Sequence, residues 1–324
     1  MQQIHQLQSS INQYISNKIY GSHPVELYEP ISYIMALGGK RLRPCLLLMA
    51  CDMFGGDVEK ALAPALAIEV FHNFTLMHDD IMDKAPLRRG KPTVHEKWNA
   101  NVAILSGDVM MVESNRLIMQ VDDSVLRPVL NIFNDTATGV CEGQQIDMNF
   151  ETMNKVSIAE YIDMIRLKTA ILVAGTLKMG ALVGGATNDE ASLLYTFGEQ
   201  LGIAFQLQDD ILDVYGDPKK FGKQVGGDIL SNKKTYLLIK ALEMAQGTDL
   251  EQLNYWLNTV DFDAAEKVTA VKAIYNSLNI REQAEAEMSR FAERAMESFE
   301  KISLPDERKV ILKEFADMLL VREY

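Results

Sequence analysis

Apolar residues recur every three to four positions along most of the chain. The clearest run of such positions is Leu193, Phe197, Leu201, Ala204, Phe205, Ile211 and Leu212. This spacing predicts one long helix, because residues three or four apart share a helix face. Thr187-x-x-Glu190 before it has the form of a capping box, as does Ser157-x-x-Glu160 before another helix, and Gly216-Asp217-Pro218 is a stop signal.

Strand-like alternation of convincing length is missing from the sequence, so we predict an all-α fold: a bundle of long, mostly antiparallel helices around a central cleft. No linker or low-complexity run interrupts the pattern, and prolines number only 9. We therefore expect a single domain over residues 1–324. The long apolar stretch Thr169–Thr187 contains Lys178 and several glycines, which favours a buried helix over a membrane span.

Composition and charge limit the cellular compartment and the partners that we expect for the protein. The first ten residues are polar, unlike a signal peptide. Cys45 and Cys51 lie among Leu and Met, which is typical of reduced core cysteines, so we expect a cytoplasmic protein without a stable membrane anchor. The formal charge, 32 − 45 = −13, argues against nucleic acid as a partner. An anionic substrate would need local basic clusters or metal.

Two acidic hexapeptides stand 130 positions apart, "HDDIMD" at 78–83 and "QDDILD" at 208–213. On a helix, Asp79 and Asp83 share a face about 6 Å apart along the axis, and the second hexapeptide repeats that spacing. Like charges at this spacing destabilise a helix, which a bound cation would offset. Mg²⁺ suits the pattern, since it binds one or two carboxylates together with phosphate oxygens. The alternative for either motif alone is a solvated acidic face.

Other metal and phosphate sites fit less well. Glu69-x-x-His72 has the spacing of a di-iron helix motif, but no second copy exists in the sequence. EF-hand, zinc and Walker A patterns are also missing from the sequence.

Three basic, glycine-containing segments accompany the acidic motifs: "GGKRLRP" at 38–44, "APLRRGKPTVH" at 85–95 and "FGKQVGGDILSNKKTYL" at 221–237. The last two each follow an acidic hexapeptide. Arginine and lysine bind phosphate oxygens, so an acidic hexapeptide and the basic segment that follows it could together bind a metal–diphosphate group. Any one basic segment alone could equally be a solvated loop.

These motifs resemble those of the trans-isoprenyl diphosphate synthases, or polyprenyl synthetases. The matching segments are "GGKRLRP", "HDDIMD" with "LRRGKPTVH", "RLKTA", and "FQLQDDILD" with "GKQVGGD" and "NKKT", in family order between residues 38 and 235. The resemblance implies the isoprenoid synthase fold and a Mg²⁺-dependent condensation of isopentenyl diphosphate with an allylic diphosphate (dimethylallyl, geranyl or farnesyl). It also implies three Mg²⁺ ions per substrate-bound site and a homodimer.

The resemblance further implies a role for each matching residue. The metal ligands would be Asp79, Asp83 and Asp209, supported by Asp80, Asp210 and Asp213. The allylic diphosphate would be bound by Arg88, Lys168, Lys223 and Lys233. Isopentenyl diphosphate would be bound by Lys40, Arg43, His72 and Arg89. Oxygens of Thr169 and Gln206 would face the allylic cation; alternatively, both side chains form hydrogen bonds within the helical core, and His72 is a buried, hydrogen-bonded histidine.

Product length depends on residues before the first acidic motif. Phe74, Thr75 and Phe71 lie five, four and eight positions before Asp79. In this family, producers of the fifteen-carbon chain often have two aromatics near these positions or a longer motif. This chain has only Phe74 beside the small Thr75, which favours geranylgeranyl diphosphate, while farnesyl diphosphate or a longer product stays open. Phe71 and Phe74 could also be core residues.

Two other functions are compatible with parts of this pattern. A terpene cyclase would use one acidic motif and a differently written second one, and it would not need an isopentenyl site. A non-catalytic subunit that regulates a partner synthase would not need two complete acidic motifs.

Overall fold

The structure, a computed structural model, describes residues 2–217 and 226–320. Helices dominate the first half of the chain. Its elements are α1 (Gln2–Asn17), α2 (Val25–Ala36), α3 (Leu42–Met53), α4 (Val58–Met82), β1 (Leu87–Arg88), β2 (Lys91–Pro92), α5 (Val94–Lys97), α6 (Ala100–Ile118) and α7 (Asp123–Thr152). The two short strands pair antiparallel, with Leu87 opposite Pro92.

In the described residues of the second half, all regular elements are helices joined by short turns and loops. Its elements are α8 (Ile158–Ile165), a π-helix (Arg166–Ala170), α9 (Ile171–Val183), α10 (Asn188–Tyr215), α11 (Gly227–Leu230), α12 (Tyr236–Met244), α13 (Gly247–Asn258), α14 (Ala264–Ser277), α15 (Ile280–Glu300) and α16 (Asp306–Leu320). The prediction of an all-α fold is confirmed.

The described residues form two compact units. The first comprises those within 1–135, 175–194 and 303–315. Here α4 packs along both α3 and α6, and α1 contacts α3 and α4. The middle of α4 is buried all round, which suits a helix surrounded by others.

The second unit comprises the described residues within 136–174, 195–302 and 316–320. Its core joins the inner faces of α8, α10, α12, α14 and α15, with Tyr161, Leu207 and Leu237 among the buried side chains. Helix α11 packs on α14, and α12 packs on α8 and α15. The prediction of one domain over the whole chain stays a prediction.

Local sequence signals explain where several helices begin and end. Ser157 and Glu160 form the predicted capping box, and the backbone N–H of Thr187 donates to Glu190 Oε2 at 3.0 Å at the start of α10. Helix α10 ends at Tyr215, immediately before the predicted stop. Glycine also permits close packing within the first unit, since a Cβ on Gly180 would lie 2.3 Å from the Leu47 carbonyl oxygen.

Cys45 and Cys51 are buried free thiols, as expected for core residues. Within the part of the chain that the structure describes, no helix has the length and apolar character needed to cross a membrane. The stretch Thr169–Thr187 instead supplies the end of the π-helix and all of α9.

Candidate active site

Helix α4 brings the first acidic hexapeptide to its C-terminal end. Asp79 and Asp80 lie in the last turns, and Asp83 is the C-cap residue with helical dihedral angles. The Asp83 backbone N–H donates to the Asp79 carbonyl at 2.8 Å, so both residues follow the helical path. Asp79 is half-buried and Asp83 is exposed. The predicted ligand pair therefore lies one turn apart at a helix end.

The remaining aspartate of this motif is neutralised inside the protein. Asp80 is 2% exposed. It accepts two hydrogen bonds from Arg88, Nε to Oδ2 at 2.8 Å and Nη2 to Oδ1 at 2.7 Å. This bidentate geometry is a strong form of ion pair. Asp80 thus fixes Arg88, the residue expected to bind the allylic diphosphate, and anchors strand β1 to α4.

A basic pocket opens beside α4 in the first unit. Its volume is about 410 Å³. It is lined by Gly39, Lys40, Arg41, Leu42, Arg43, Glu69, His72 and Arg89. All four residues expected to bind isopentenyl diphosphate are therefore brought together. They come from three separate segments of the sequence: the end of the loop before α3 with the first turn of α3, helix α4, and the hairpin of β1 and β2.

His72 is neutral in this pocket. Burial lowers its pKa well below the ordinary value, and the nearby charges of Arg43 and Arg89 lower the pKa further. Arg43 Nη1 lies 3.3 Å from His72 Nε2. Because a guanidinium can only donate, Nε2 is the acceptor and any proton on the ring belongs to Nδ1. His72 thus serves as a neutral hydrogen-bonding group among cations, which also agrees with the simpler expectation of a hydrogen-bonded histidine.

A buried polar cluster supports the floor of the pocket. Arg41 forms an ion pair with Glu69, and its Nη2 donates to the Met35 carbonyl at 2.7 Å. Asn73 Nδ2 donates to Glu69 Oε1 at 3.0 Å. Arg41 also has a left-handed backbone, with φ of 49°, at the start of α3. These bonds tie the loop before α3 to α4 and leave Lys40 and Arg43 on either side of Arg41.

Arg89 reaches the same loop from the hairpin. Its Nη1 donates to the Gly38 carbonyl. Gly39 has φ of 145°, and a Cβ there would lie 2.9 Å from Arg89 Nη2. A glycine at 39 therefore makes room for the guanidinium. Burial lowers the pKa of Arg89, and the charge of Arg41 lowers it further.

The residues expected to set product length lie on different parts of α4. Phe71 is fully buried against Phe133, with ring centres 5.5 Å apart, so it is a core residue. Phe74 is half-buried and contacts the rings of Phe71 and His78. Thr75 is half-buried too, and its hydroxyl donates to the His72 carbonyl at 2.8 Å.

The second acidic hexapeptide, on α10, has a different environment. Asp210 is 3% exposed. It accepts hydrogen bonds from the hydroxyl of Tyr161 on α8 and, at 3.0 Å, from Gln206 Nε2 one turn earlier. Gln206 Oε1 in turn accepts from the Thr169 hydroxyl at 3.1 Å. Thr169 and Gln206 are thus hydrogen-bonded to each other, and this bond links the π-helix to α10.

Burial raises the pKa of Asp210 from 3.8 to about 7. The neighbouring Asp228 carboxylate contributes to this rise in pKa, whereas the hydrogen bonds from Tyr161 and Gln206 and the charge of Lys233 oppose it. The pKa of Tyr161 lies well above its usual range, chiefly because of burial and then because of Asp210. Tyr161 therefore remains a hydrogen-bond donor at any physiological pH.

Asp213 organises the segment that follows α10. Its Oδ2 accepts from the Asp228 backbone N–H at 3.0 Å, and its carbonyl accepts from the Gly226 N–H at 2.6 Å. Lys233 Nζ lies 3.9 Å from Asp228 Oδ1. Asp213 thus supports the loop that carries Lys233. Lys223 lies outside the described residues.

Lys168 occupies the π-helix, a rare element that often occurs at functional sites. Its Nζ forms a 2.5 Å ion pair with Asp147 of α7. Gly143, one turn earlier on α7, allows the close approach, because a Cβ there would lie 2.3 Å from the Lys168 backbone nitrogen. The ion pair holds Lys168 in a fixed, partly exposed position.

The donor set suits magnesium. Among the described residues, no three His, Cys, Asp or Glu side chains group together as a ready-made metal site. Zinc or iron would need such a group. Mg²⁺ needs only one or two carboxylates and completes its octahedron with water and phosphate oxygens. Asp79 and Asp83, one turn apart at the end of α4, match this requirement, and the assignment of these two residues and of Asp209 as metal ligands stays a prediction.

Three residues of the second unit were not predicted from the sequence: Tyr161, Asp147 and Asp228. Asp228 stands in the quoted "VGGD" segment, next to the glycines, which was a usable signal. Tyr161 lies seven positions before Lys168, but nothing in the sequence connects it with Asp210. Asp147 carries no local signal, because its partner is 21 positions away.

The chain was compared with known proteins. Residues 24–278 match the family described as polyprenyl synthetase. A geranylgeranyl diphosphate synthase of Sulfolobus acidocaldarius is 43% identical over 242 residues, 74% of this chain and 73% of that protein. A short chain isoprenyl diphosphate synthase of Methanothermobacter thermautotrophicus is 38% identical over 303 residues, 93% of this chain and 92% of that protein.

Solved structures give the same result. The crystal structure of a geranylgeranyl pyrophosphate synthase, 42% identical in sequence, matches with a TM-score of 0.94 over 99% of both chains. The resemblance stated from the motifs is confirmed. This chain belongs to the polyprenyl synthetase family of prenyltransferases.

Proposed function

We propose that the protein condenses isopentenyl diphosphate head-to-tail with an allylic diphosphate, in a Mg²⁺-dependent reaction, and releases geranylgeranyl diphosphate. Dimethylallyl, geranyl and farnesyl diphosphates would serve as allylic substrates. The observation that carries the proposal is the basic pocket beside α4, lined by Lys40, Arg43 and Arg89 around a neutral His72. It offers three cations to a diphosphate, next to the helix that carries Asp79 and Asp83.

The basic pocket suits the non-ionising substrate. Isopentenyl diphosphate keeps its diphosphate, so its site needs permanent cations and hydrogen-bond donors. Arginine forks match phosphate oxygens bidentately, and Lys40 adds a point charge. Arg41 contributes indirectly, because its pair with Glu69 holds the start of α3, with Lys40 just before it and Arg43 in its first turn.

The allylic substrate needs a different environment, since its carbon–oxygen bond must break. Mg²⁺ held by Asp79, Asp83 and Asp209 would neutralise the charge that grows on the leaving diphosphate. Arg88, Lys168 and Lys233 would bind the same diphosphate. The contacts of Arg88 with Asp80 and of Lys168 with Asp147 keep both cations oriented before the substrate arrives.

Condensation then joins the allylic carbon to the double bond of isopentenyl diphosphate. The allylic carbon loses diphosphate, the double bond supplies the electron pair of the new bond, and the departing diphosphate takes the proton that restores a double bond. Thr169 and Gln206 would lie near the positive carbon. Their oxygens are already in one hydrogen-bond chain, which keeps them in place.

Product length follows from the residues one to two turns before Asp79. Phe71 packs in the core against Phe133, so it does not change the space available to the growing chain. Thr75 is small and half-buried, so an aromatic side chain in its place would occupy more of the space beside α4. Two of the similar proteins described above are geranylgeranyl synthases, which supports a twenty-carbon product.

We also propose that the protein acts as a homodimer in the cytoplasm.

Mass analysis of products decides the function. The purified protein is incubated with isopentenyl diphosphate and each allylic diphosphate in turn, with Mg²⁺ or with EDTA. We expect geranylgeranyl diphosphate from all three starters, and none with EDTA. Cyclic hydrocarbon formed from an allylic diphosphate alone would instead indicate a cyclase, and inactivity relieved only by a second protein would indicate a regulatory subunit.

Substitution of Thr75 tests the basis of product length. Thr75→Phe should shift the main product from twenty to fifteen carbons, because an aromatic ring at this position shortens the space for the growing chain. Thr75→Ser is the matched control and should keep the wild-type product. An unchanged product from Thr75→Phe would show that the chain grows elsewhere.

A further inference from the structure

A lysine that has no role in the proposed reaction is buried in the second unit, beside the segment that carries Asp228 and Lys233. Lys267 on α14 is 1% exposed. Its Nζ donates to Asn232 Oδ1 at 2.7 Å and to the Leu230 carbonyl at 3.4 Å, and it lies 4.1 Å from the centre of the Phe262 ring. Among the residues that the structure describes, Lys267 forms no ion pair. Burying a cation without a counter-charge disfavours folding, so its position calls for a reason other than stability.

The two oxygen acceptors of Lys267 lie at the end of α11, on Leu230, and in the turn that follows it, on Asn232. Asn232 has a left-handed backbone there, with φ of 54°. Its side chain accepts from Lys267 and donates from Nδ2 to the Leu257 carbonyl of α13 at 3.1 Å. Lys267 and Asn232 together fasten this turn to α13 and α14.

The other end of the same segment is fastened by Asp213, which accepts from the Asp228 N–H. Gly226 packs against Val268, the residue after Lys267, since a Cβ on Gly226 would lie 2.8 Å from Val268 Cγ2. Lys233 directly follows the second anchor, Asn232. The Lys233 N–H donates to the Asp228 carbonyl at 2.9 Å, so its backbone depends on both anchors.

We infer that Lys267 is a positioning residue for diphosphate binding: it holds the Leu230–Asn232 turn so that Lys233 points at the anion. The inference rests on the proposed function for the role of Lys233. It explains why a buried ammonium is kept where an apolar side chain would pack with less cost. The burial of Lys267 lowers its pKa, in keeping with a charge that is poorly compensated.

Binding of inorganic pyrophosphate in the presence of Mg²⁺, measured by calorimetry, tests the inference without turnover. Lys267→Met keeps the length and apolar stem of the side chain but removes the ammonium. We expect affinity to fall by about tenfold, the usual scale for losing one oriented charge contact. The melting temperature should stay the same or rise, because a buried charge has been removed. Unchanged affinity, or weaker binding with a lower melting temperature, would overturn the inference.

A second variant covers the case in which Lys267→Met does not fold. Asn232→Gly retains the left-handed backbone and removes the acceptor of Lys267. We expect it to weaken pyrophosphate binding by a similar factor. Wild-type affinity in this variant would contradict the inference.

A double-mutant cycle separates positioning from a general structural effect. Lys233→Ala alone should weaken pyrophosphate binding, and adding Lys267→Met should weaken it by less than about twofold more, because Lys267 acts through Lys233. Fully additive losses would show that Lys267 acts by another route. Lys309→Met is the control, since Lys309 on α16 is likewise buried, at 6% exposure, and should leave the affinity unchanged.

Failure of the proposed function can be told apart from failure of this inference. A wild-type protein that binds pyrophosphate but makes no prenyl diphosphate would disprove the function and leave the cycle interpretable. A wild-type protein that makes product, with Lys267→Met equal to it in pyrophosphate affinity, would disprove only the inference. A wild-type protein that does not bind pyrophosphate would overturn the inference directly.

Discussion

The two acidic hexapeptides have nearly the same sequence but different electrostatics. In both, the second aspartate is buried: Asp80 is 2% exposed and Asp210 is 3% exposed. Asp80 is neutralised by a bidentate guanidinium, that of Arg88. Asp210 instead accepts hydrogen bonds from Tyr161 and Gln206, both uncharged, and has the Asp228 carboxylate nearby. The Asp80 carboxylate is paired directly with a cation, whereas the Asp210 carboxylate is hydrogen-bonded by uncharged groups, with a smaller contribution from the charge of Lys233.

This difference shows that a repeated motif does not imply a repeated environment. A carboxylate held by dipoles in a buried site gains a proton more easily than one paired with a cation. Accordingly, the pKa of Asp210 rises to about 7 through burial. The buried aspartate of the first hexapeptide thus has a counter-charge close by in the sequence, Arg88, whereas that of the second depends on surrounding hydrogen bonds. The following changes test how far the two segments differ.

The largest expected effect is on kcat, when a proposed metal ligand is substituted, and here the two hexapeptides should behave alike. Asp79→Asn and Asp209→Asn should each lower kcat by about 1,000-fold or more, which corresponds to about 4 kcal/mol of transition-state stabilisation. Each substitution removes one carboxylate proposed to bind Mg²⁺. Steady-state kinetics at saturating Mg²⁺ measure the loss, and circular dichroism checks that helix content is intact.

Asp189→Asn is the matched control for this prediction, because Asp189 is an exposed aspartate at the start of the same helix as Asp209. It should retain wild-type kcat. If only one of the two ligand variants loses activity, the metal depends on one segment alone and the proposed equivalence of the segments is wrong.

The helical frame and the basic pocket could be predicted from the sequence. Helical spacing, two capping boxes and a Gly-Asp-Pro stop define local structure, which depends on residues close together in the chain. Lys40, Arg43, His72 and Arg89 were grouped by resemblance to a family, and the structure places them around one pocket. Their assignment to isopentenyl diphosphate stays a prediction.

The hydrogen-bond and ion-pair partners of the proposed site residues could not be predicted from the sequence. Pairings such as Tyr161 with Asp210 or Lys168 with Asp147 join positions 49 and 21 residues apart. They depend on how helices pack, and a sequence pattern does not encode which polar groups meet. The same holds for the hydrogen bond between Thr169 and Gln206, which engages oxygens that we expected to face the allylic cation.

The next prediction concerns pH. The pKa of Asp210 is about 7 in the folded protein and about 4 in an unfolded chain. Between these values the folded state binds more protons, so the free energy of unfolding should fall as pH rises from 4 to 7 and level off above 7. At about 1.4 kcal/mol per pKa unit, the fall is at most about 4 kcal/mol. Urea unfolding in EDTA at several pH values measures it.

Asp210→Asn removes the titrating group and should remove this contribution to the pH dependence. Asp163→Asn, an exposed aspartate of the same unit, is the control and should keep the wild-type profile. A wild-type profile in Asp210→Asn would mean that Asp210 is ionised throughout and that the two segments are electrostatically alike.

A smaller effect distinguishes the segments at pH 5. Asp80→Asn leaves the partly buried Arg88 guanidinium without its carboxylate and should lower the free energy of unfolding by about 2–3 kcal/mol. Asp210→Asn should cost less at this pH, because the amide replaces a protonated acid of the same shape. Urea unfolding of both variants at pH 5 gives the comparison, and the double variant Asp80→Asn with Arg88→Met should recover part of the loss. Equal costs at positions 80 and 210 would remove the distinction.

The smallest expected effect comes from the hydroxyl that supports the second segment. Tyr161→Phe keeps the ring in the core and removes one hydrogen bond to Asp210, which should cost about 1 kcal/mol of stability. Because that bond lowers the pKa of Asp210, its loss should move the midpoint of the pH-dependent stability in EDTA to higher pH. Tyr215→Phe also removes a hydroxyl hydrogen bond, to Asn276, and should leave the midpoint unchanged. An equal shift in both variants would mean that the midpoint reports general loosening of the unit. No shift in Tyr161→Phe would mean that dipoles from this side do not hold the second segment, and the contrast with Arg88 would then rest on burial alone.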